Sequence, residues 1–385
     1  MLRLVGLIAQ TLLILLVAYN AVTALWGWPR PRSAPQGSRR RRFRVVVPAH
    51  NEEKVIAGIL DDLARQDYPA ELTQVWVLAD RCDDATADVA RSYGAAVAER
   101  NAGPPGKGAA LGWYLEAHPL DGDETLVVFD ADNRIPPETL GRIADELDAG
   151  AEAVQCYLDV TNPDRSPLAE AAALSYWASN RMVQAARARL GWSADLGGTG
   201  MAITARALAD ASGFGDALTE DQELGLRLLL AGHRVGWIHD VRIRDEKPAG
   251  LASTVRQRAR WMAGKRKVRR AYLGRLVRHG TPAAFDMAVR LVQPGRSFVA
   301  LLSGVLTVAA WASGSSWLFG WQVWAAVTAV QVLEPVPFLA RDGVEPARLV
   351  RYPLLVLLAA LWVPIRIVSA RTSGWYHTPH EGSSP

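Results

Sequence analysis

Two aspartates, Asp130 and Asp132, follow an apolar, β-branched run at Thr125–Phe129. Carboxylates on alternate residues of an extended chain share one face, so both can approach the same ligand. Oxygen ligands of this kind favour Mg²⁺ or Mn²⁺, and Mg²⁺ held by few protein ligands typically bridges substrate phosphates. A metal-diphosphate site is therefore one interpretation of the triplet. An ordinary pair of surface acids is the other.

Two further strand-like runs also end in polar residues. Phe43–Val47 leads into Pro48-Ala-His-Asn-Glu-Glu53, and Val75–Ala79 leads into Asp80-Arg-Cys-Asp-Asp84. Because ligands bind at the carboxyl ends of parallel strands, these residues could hold part of a substrate. Capping of the helices that follow, by Asn51 in the first segment, is the alternative for both.

Two glycine-rich segments offer backbone that a ligand can approach closely. Gly103-Pro-Pro-Gly-Lys-Gly108 carries Lys107, but it lacks the spacing and the Ser or Thr of a P-loop. Its lysine could contact a phosphate, and a plain turn explains the segment equally well. Gly197-Gly-Thr-Gly200 is similarly permissive.

A helix is expected to begin at Thr219-Glu-Asp221 and to continue through Leu228. Acidic side chains in a first turn interact favourably with the helix dipole, which is explanation enough for an ordinary helix start. The functional interpretation makes Asp221 a general base.

Gln257-Arg-Ala-Arg-Trp261 lies in a strongly basic stretch. Ten Lys or Arg residues occur between Arg256 and Arg278, and no acid occurs from Lys247 to Phe285. Nucleic-acid binding would fit such a run. A helix beside a membrane fits better, because anionic headgroups attract basic side chains, so membrane lipids are the expected partner and nucleic acid is not.

The elements that must position these residues alternate along the chain. Apolar residues have helical spacing in 52–65, 86–93 and 137–148, and each helical segment follows one of the three strand-like runs. This order predicts a parallel sheet covered by helices on both faces.

Charge is distributed unevenly along the 385 residues, of which 50% are hydrophobic and 21% charged. Leu4–Leu25 is an uncharged run of 22 residues, long enough to cross a membrane. Seven arginines between Arg30 and Arg44 favour an outside N-terminus and a cytosolic main domain. A cleavable signal peptide is the alternative. Further spans are predicted at 297–313, 317–340 and 352–370, although Arg366 and Arg371 leave an interfacial position open for the last.

The composition excludes several classes of protein. The chain is too polar for a bundle of membrane helices and too apolar for a disordered tail. Cys82 and Cys156 are the two cysteines, too few for a disulfide framework, so a reducing compartment is the simpler interpretation.

In this order the motifs resemble those of the membrane-embedded family 2 glycosyltransferases, the group of cellulose, hyaluronan and chitin synthases. The matching marks span residues 43–262 and are Val45-Val-Val-Pro-Ala-His-Asn-Glu52, Asp80, Lys107-Gly108, Asp130-Ala-Asp132, Thr219-Glu-Asp221 and Gln257-x-x-Arg260-Trp261. The resemblance implies an α/β GT-A (Rossmann-like) cytosolic catalytic domain plus α-helical transmembrane segments. It also implies a nucleotide-sugar donor, which we expect to be UDP-linked, and Mg²⁺ or Mn²⁺.

The resemblance assigns roles residue by residue. Donor binding falls to Ala49, Glu52, Asp80, Lys107, Asp130 and Arg260; the metal to Asp130 and Asp132; the acceptor to Gln257 and Trp261; and general-base catalysis to Asp221. One departure concerns the tail, where synthases often carry a gating loop of the form W-x-x-T-x-K/R. Trp375-Tyr-His-Thr378-Pro-His380 ends in histidine, which puts contact with the diphosphate, and processivity, in doubt.

We therefore predict an inverting, metal-dependent membrane glycosyltransferase that extends a polysaccharide, with single-sugar transfer to a membrane lipid as the alternative. A glycosidase would not need a diphosphate-metal site. A nucleotidyltransferase and a non-catalytic assembly subunit are weaker hypotheses, because neither explains all the motifs. The predicted division is an N-terminal membrane helix at 1–28, a basic linker at 29–42, a catalytic domain at 43–250, basic interfacial helices at 251–295, membrane helices at 296–371 and a tail at 372–385.

Overall fold

A seven-stranded mixed sheet forms the centre of the computed structural model, which describes residues 1–215, 217–248, 250–314, 317–355 and 361–371. The strand order is β3-β2-β1-β4-β6-β5-β7. The strands are β1 Arg42–Ala49, β2 Thr73–Asp80, β3 Ala96–Arg100, β4 Glu124–Val128, β5 Ala153–Val160, β6 Met201–Thr204 and β7 Val235–Asp245.

The helices cover both faces of this sheet and extend beyond it. In chain order they are α1 Leu2–Ala24, α2 Ile56–Ala64, α3 Thr86–Ser92, α4 Lys107–Ala117, α5 Thr139–Asp148, α6 Pro167–Ser179, α7 Ala186–Arg189, α8 Ala205–Asp210, α9 Glu220–Leu230, α10 Leu251–His279, α11 Pro282–Val292, α12 Arg296–Ser313, α13 Trp321–Leu333, α14 Pro335–Arg341, α15 Pro346–Leu355 and α16 Trp362–Arg371. A π-helical turn at Asn180–Ala185 joins α6 to α7.

The central strand β1 shows why the sheet is buried on both sides. Val45 and Val47 pack into one apolar core with α2 and α5, whereas Val46 packs into the other with α4. All three valines are fully buried. A continuous apolar run is what a strand covered by helices on both faces requires, so the predicted three-layer arrangement is confirmed.

The sheet differs from the predicted parallel sheet at one strand. β6 runs antiparallel to both β4 and β5, while β5 and β7 pair in parallel. β6 has only four residues and lies between two long segments without strand periodicity. Sequence pattern therefore gave no sign of its direction.

Three helices are long and apolar enough to cross a membrane by length and composition: Leu2–Gly27, Arg296–Ser313 and Trp321–Arg341. These coincide with the first three predicted spans. The segment predicted at 352–370 contains the end of α15 and most of α16, with residues 356–360 between them outside the described residues. The proposed gating loop at 375–380 also lies outside the described residues.

A buried ion pair ties the N-terminal helix to the rest of the molecule. Arg187 donates from Nε and Nη2 to the two carboxylate oxygens of Asp286, at 3.1 Å each, and both side chains are fully buried. Tyr19 of α1 donates its hydroxyl to the same carboxylate at 2.8 Å. Asp286 of α11 therefore links α1 to α7.

Candidate active site

One cavity of about 750 Å³ lies at the carboxyl ends of the parallel strands, between the sheet and α10. This volume is within the roughly 300–1,000 Å³ range of small-molecule sites. All the predicted site residues line it: Ala49, Glu52, Asp80, Lys107, Asp130, Asp132, Asp221, Gln257, Arg260 and Trp261. The fold thus brings together residues that are up to 212 positions apart in the sequence (Ala49 to Trp261).

The loops after β1 and β2 are bonded to each other. Asn51 and Arg81 both have positive φ, at 59° and 53°, a conformation that side-chain hydrogen bonds must support. The side chain of Asn51 donates from Nδ2 to Asp83 Oδ1 at 3.0 Å, and its Oδ1 accepts from the backbone N–H of Asp83 at 3.0 Å. Asn51 therefore braces the second loop and does not cap a helix.

The carboxylate of Asp80, at the end of β2, is paired with arginine side chains of the protein. Asp80 is buried and accepts from Arg81 Nη2 and Arg100 Nη1, each at 2.7 Å. Two guanidinium groups therefore balance the charge of the Asp80 carboxylate. Asp84 Oδ1 accepts from the N–H of Thr86, the first residue of α3, at 3.0 Å, although Ala85 is the N-cap residue of this helix.

The paired aspartates lie where β4 gives way to a turn. The Asp130 N–H donates to Asn133 Oδ1 and Thr199 Oγ1, at 3.0 Å each, which fixes the direction in which the chain leaves the strand. The Asp130 carboxylate accepts from Lys107 Nζ, which also donates to the Gly198 carbonyl at 2.7 Å. Burial would lower the pKa of Lys107, but Asp130 and Glu220 outweigh it and raise that pKa.

These residues fit a divalent cation that takes most of its ligands from the substrate. Within the described ranges there is no group of three or more His, Cys, Asp and Glu residues able to hold a metal. Asp130 and Asp132 therefore offer a partial carboxylate set, and the Asp130 side chain keeps 39% of its exposure. A diphosphate and water would complete the shell, as is usual for Mg²⁺.

Glycines allow the start of α9 to lie deep in the cavity. A methyl group on Gly108 would lie 2.6 Å from the Gly215 carbonyl oxygen and 2.7 Å from Glu220 Cβ. On the other side, a methyl group on Gly264 of α10 would lie 2.7 Å from Thr219 Cγ2. Only glycine permits both contacts, so Thr219, Glu220 and Asp221 sit between α4 and α10.

The two acids of this segment carry the perturbed pKa values of the site. Burial raises the pKa of Asp221, whose Oδ1 accepts from the Gln222 N–H at 2.7 Å. Burial and the Asp221 carboxylate raise the pKa of Glu220 to about 7. A methyl group on Gly198 would lie 3.4 Å from Asp221 Oδ2, so the Lys107-bound glycine loop and the proposed base are neighbours. Carboxylates raised towards neutral pH suit proton transfer.

α10 supplies the wall opposite the sheet. Gln257 and Trp261 are one turn apart on its cavity face, and Arg260 faces Glu220, whose pKa it lowers. The Nε atom of Arg260 is buried and has no hydrogen-bond partner among the described residues. Such a donor suits a charged acceptor group on a ligand.

The structure also adds residues that the sequence analysis did not single out. Lys247 and Asp245, at the end of β7, form a buried ion pair in the cavity wall, and Lys247 Nζ lies 4.1 Å from the ring centroid of Tyr176. Burial raises the pKa of Asp245. The Asp-Glu-Lys-Pro248 segment gave a weak signal, because it follows a strand-like run just as Asp80 and Asp130 do.

Comparison with known proteins identifies the class. Residues 40–264 match the model of the family described as "Glycosyltransferase like family 2", which is more than half of the chain, and the protein therefore belongs to this family. The subtype suggested by the synthase motifs stays a prediction.

Individual relatives are more distant. A β-monoglucosyldiacylglycerol synthase from Synechocystis is 29% identical over 233 residues, which is 57% of this chain and 47% of that protein. A probable glycosyltransferase from Bacillus subtilis is 28% identical over 244 residues, 59% of this chain and 56% of that protein. The chain thus spans about half the length of these curated relatives.

Among solved structures, a mannosyltransferase from Pyrobaculum calidifontis, in complex with GDP-mannose and Mn²⁺, superposes with a TM-score of 0.64. The two sequences are 20% identical, and the superposition covers 96% of this chain and 97% of the mannosyltransferase. The likeness confirms the predicted GT-A fold together with its added helices.

Proposed function

We propose that this protein transfers one sugar from a nucleotide sugar, expected to be UDP-linked, to a lipid acceptor in a membrane, with inversion at the anomeric carbon. The observation that carries the proposal is that one cavity brings together three kinds of residue. These are aspartates suited to a metal and a diphosphate, half-buried basic side chains on α10, and Asp221, an acid with a raised pKa. Family membership makes a glycosyl donor the natural ligand. The relative from Synechocystis is named for a diacylglycerol product, which supports a lipid acceptor.

In this proposal the donor lies across the ends of β1, β2 and β4. Ala49, Glu52 and Asp80 hold the nucleoside, and Lys107 and Arg260 offset the charge of the diphosphate. A Mg²⁺ or Mn²⁺ ion at Asp130 and Asp132 would, when bound, stabilise the departing nucleoside diphosphate. Fixed donors act strongly in such a partly dry site because they need no reorganisation.

Asp221 is the proposed base. It takes the proton of the acceptor hydroxyl as that oxygen bonds to the anomeric carbon and the diphosphate leaves. A single displacement with inversion needs one base and no covalent intermediate, so it is the economical route with Asp221 in that role. Gln257 and Trp261 support the acceptor.

Apolar helices support the membrane setting. α12 begins at the cavity, because its N-cap residue Gly295 contributes to the lining. α16 lies beside the cavity, because Ile365 lines it too. We propose that α1, α12 and α13 to α14 anchor the chain in a bacterial-type inner or plasma membrane, with the catalytic domain in the cytosol and with the domain division predicted from the sequence. An acceptor held in the bilayer would then reach Asp221 without leaving the interface.

Extension of a polysaccharide is the second candidate. It is favoured by the Thr219-Glu-Asp221 and Gln257-x-x-Arg260-Trp261 motifs, which resemble those of processive synthases. Product length separates the two candidates, because discrete glycolipids and a polymer behave differently in gel filtration and thin-layer chromatography.

The test uses the full chain in lipid nanodiscs with Mg²⁺ or Mn²⁺, a membrane lipid extract and a panel of UDP- and GDP-sugars. We expect nucleoside diphosphate release from one donor and a lipid-soluble product carrying one sugar. A polymer under excess donor would replace the first candidate with the second. Release of pyrophosphate, or no release from any donor, would refute glycosyl transfer itself.

A further inference from the structure

Arg258 is a cation in the active-site cavity that no acid in the described part of the chain neutralises. Its half-buried side chain lines the cavity, and among the described residues it forms no ion pair and no hydrogen bond. Burial lowers the pKa of Arg258, and an interaction with Tyr176 opposes that shift. Partly burying a charge without a partner costs free energy, and an anionic ligand that pairs with Arg258 would offset that cost.

The position of Arg258 separates it from the cations proposed to bind the donor. Residues 258 and 260 are about 200° apart around a helix, so their side chains leave α10 on opposite flanks of the Gln257 and Trp261 stripe. Arg260 faces Glu220, near Lys107. Arg258 faces Tyr176 of α6.

The strand order strengthens this separation. β1 and β2, which carry the proposed nucleoside residues, lie on one side of β4, whereas β5 and β7 lie on the other. Tyr176 is next to Lys247, which follows β7. Arg258 therefore lies in the half of the cavity next to β5 and β7, on the side of Asp130 and Asp132 opposite the proposed nucleoside site.

The wall that Arg258 faces leads towards the apolar helices. Ala172, Ser175, Tyr176 and Ser179 form one face of α6 and line the cavity. The opposite face of α6 packs Leu174 and Ala178 against Phe338 and Leu339 of α14. A ligand that reaches Arg258 along α6 would thus enter from the side of the proposed membrane anchor.

We propose that Arg258 binds a negatively charged group on the acceptor, so that the acceptor is a membrane amphiphile carrying a phosphate or a carboxylate near the hydroxyl that receives the sugar. This proposal rests on the proposed glycosyl transfer and adds the charge of its acceptor. A guanidinium can form two parallel hydrogen bonds with either anion, which would also orient the hydroxyl towards Asp221.

The experiment separates a membrane lipid extract into anionic and neutral pools by anion exchange and supplies each pool to the protein in phosphatidylcholine nanodiscs. Wild type is compared with Arg258→Gln and Arg258→Lys. Arg256→Gln is the matched control, because Arg256 is exposed on the same helix and does not line the cavity. KM is measured separately for acceptor and donor.

We expect transfer to lipids of the anionic pool, an increase of about tenfold or more in acceptor KM for Arg258→Gln, partial recovery in Arg258→Lys, and wild-type behaviour in Arg256→Gln. Donor KM should change less than about twofold. Transfer confined to the neutral pool would overturn the inference, and so would a rise in donor KM, since the anion would then be the donor diphosphate. If wild type releases no nucleoside diphosphate with either lipid pool, the proposed function itself is refuted.

Discussion

The two halves of the cavity treat charge in opposite ways. Where β1 and β2 end, Asp80 is paired with Arg81 and Arg100, and Asn51 bridges the two loops. Along α9 and α10, Glu220 and Asp221 have raised pKa values, and Arg258 has no acidic partner within the described ranges. The first region pairs its buried charge within the protein, whereas the second keeps acids with raised pKa values and a cation that a substrate would pair with. Changes in the first should therefore act on KM, and changes in the second on kcat or on acceptor use.

Among the variants that compare the two halves, the largest effect is expected where the halves meet. Asp132→Asn removes one of the two carboxylates proposed to hold the divalent cation, so kcat/KM should fall by about 1,000-fold, the scale of several kcal/mol. Titration of Mn²⁺ against activity checks this, because the variant should need far more metal. An unchanged metal requirement would exclude Asp132 as a ligand.

Gly264→Ala tests whether close packing of α10 on α9 positions the acids. The added methyl group would lie 2.7 Å from Thr219 Cγ2, so we expect destabilisation by about 1–3 kcal/mol. We also expect a roughly tenfold loss of kcat with little change in donor KM.

Gly274→Ala is the matched control in the same helix. Its methyl group would meet only Arg278 Nη2, at 3.8 Å, and the better helix propensity of alanine should stabilise the protein by up to about 1 kcal/mol. Equal kcat values for the two variants would show that the close contact does not position Asp221.

Glu220→Gln tests the electrostatic coupling of the two acids. The Asp221 carboxylate raises the pKa of Glu220, and like charges act on each other reciprocally, so the variant should shift the acid limb of kcat against pH downward. Because the folded-state pKa of Glu220, about 7, lies above its ordinary value, the stability this group contributes is lost as pH rises through 7. The variant should therefore gain thermal stability over wild type at pH 8 and not at pH 4. Glu116→Gln, an exposed acid on α4, should change neither.

The smallest effect is expected on the compensated side. Asn51→Ala loses the bonds to Asp83 and places a side chain poorly suited to its φ of 59°. Donor KM should rise severalfold, by roughly three to ten times, with kcat unchanged. Asn51→Gly should lie between alanine and wild type, since it loses the bonds but tolerates the conformation. A fall in kcat with constant KM would contradict the division between the two halves.

Much of this arrangement could be predicted from the sequence because it depends on local signals. Polar residues directly after the apolar runs at β1, β2 and β4 placed Ala49, Glu52, Asp80, Asp130 and Asp132 at one sheet edge. The direction of β6 and the pairing of β5 with β7 depend on contacts between residues far apart in the sequence, which local patterns do not predict. Gly264 and Arg258 matter only through their packing against α9 and α6, which no local pattern contains.

The central claim is that Asp221 is the base of a glycosyl transfer. Its most direct test measures donor affinity and nucleoside diphosphate release for wild type and Asp221→Asn in nanodiscs containing the lipid extract. We predict that release falls by about 100- to 10,000-fold while donor Kd stays within about twofold. An Asp221→Asn protein that releases nucleoside diphosphate and glycosylates the acceptor at the wild-type rate would contradict the claim.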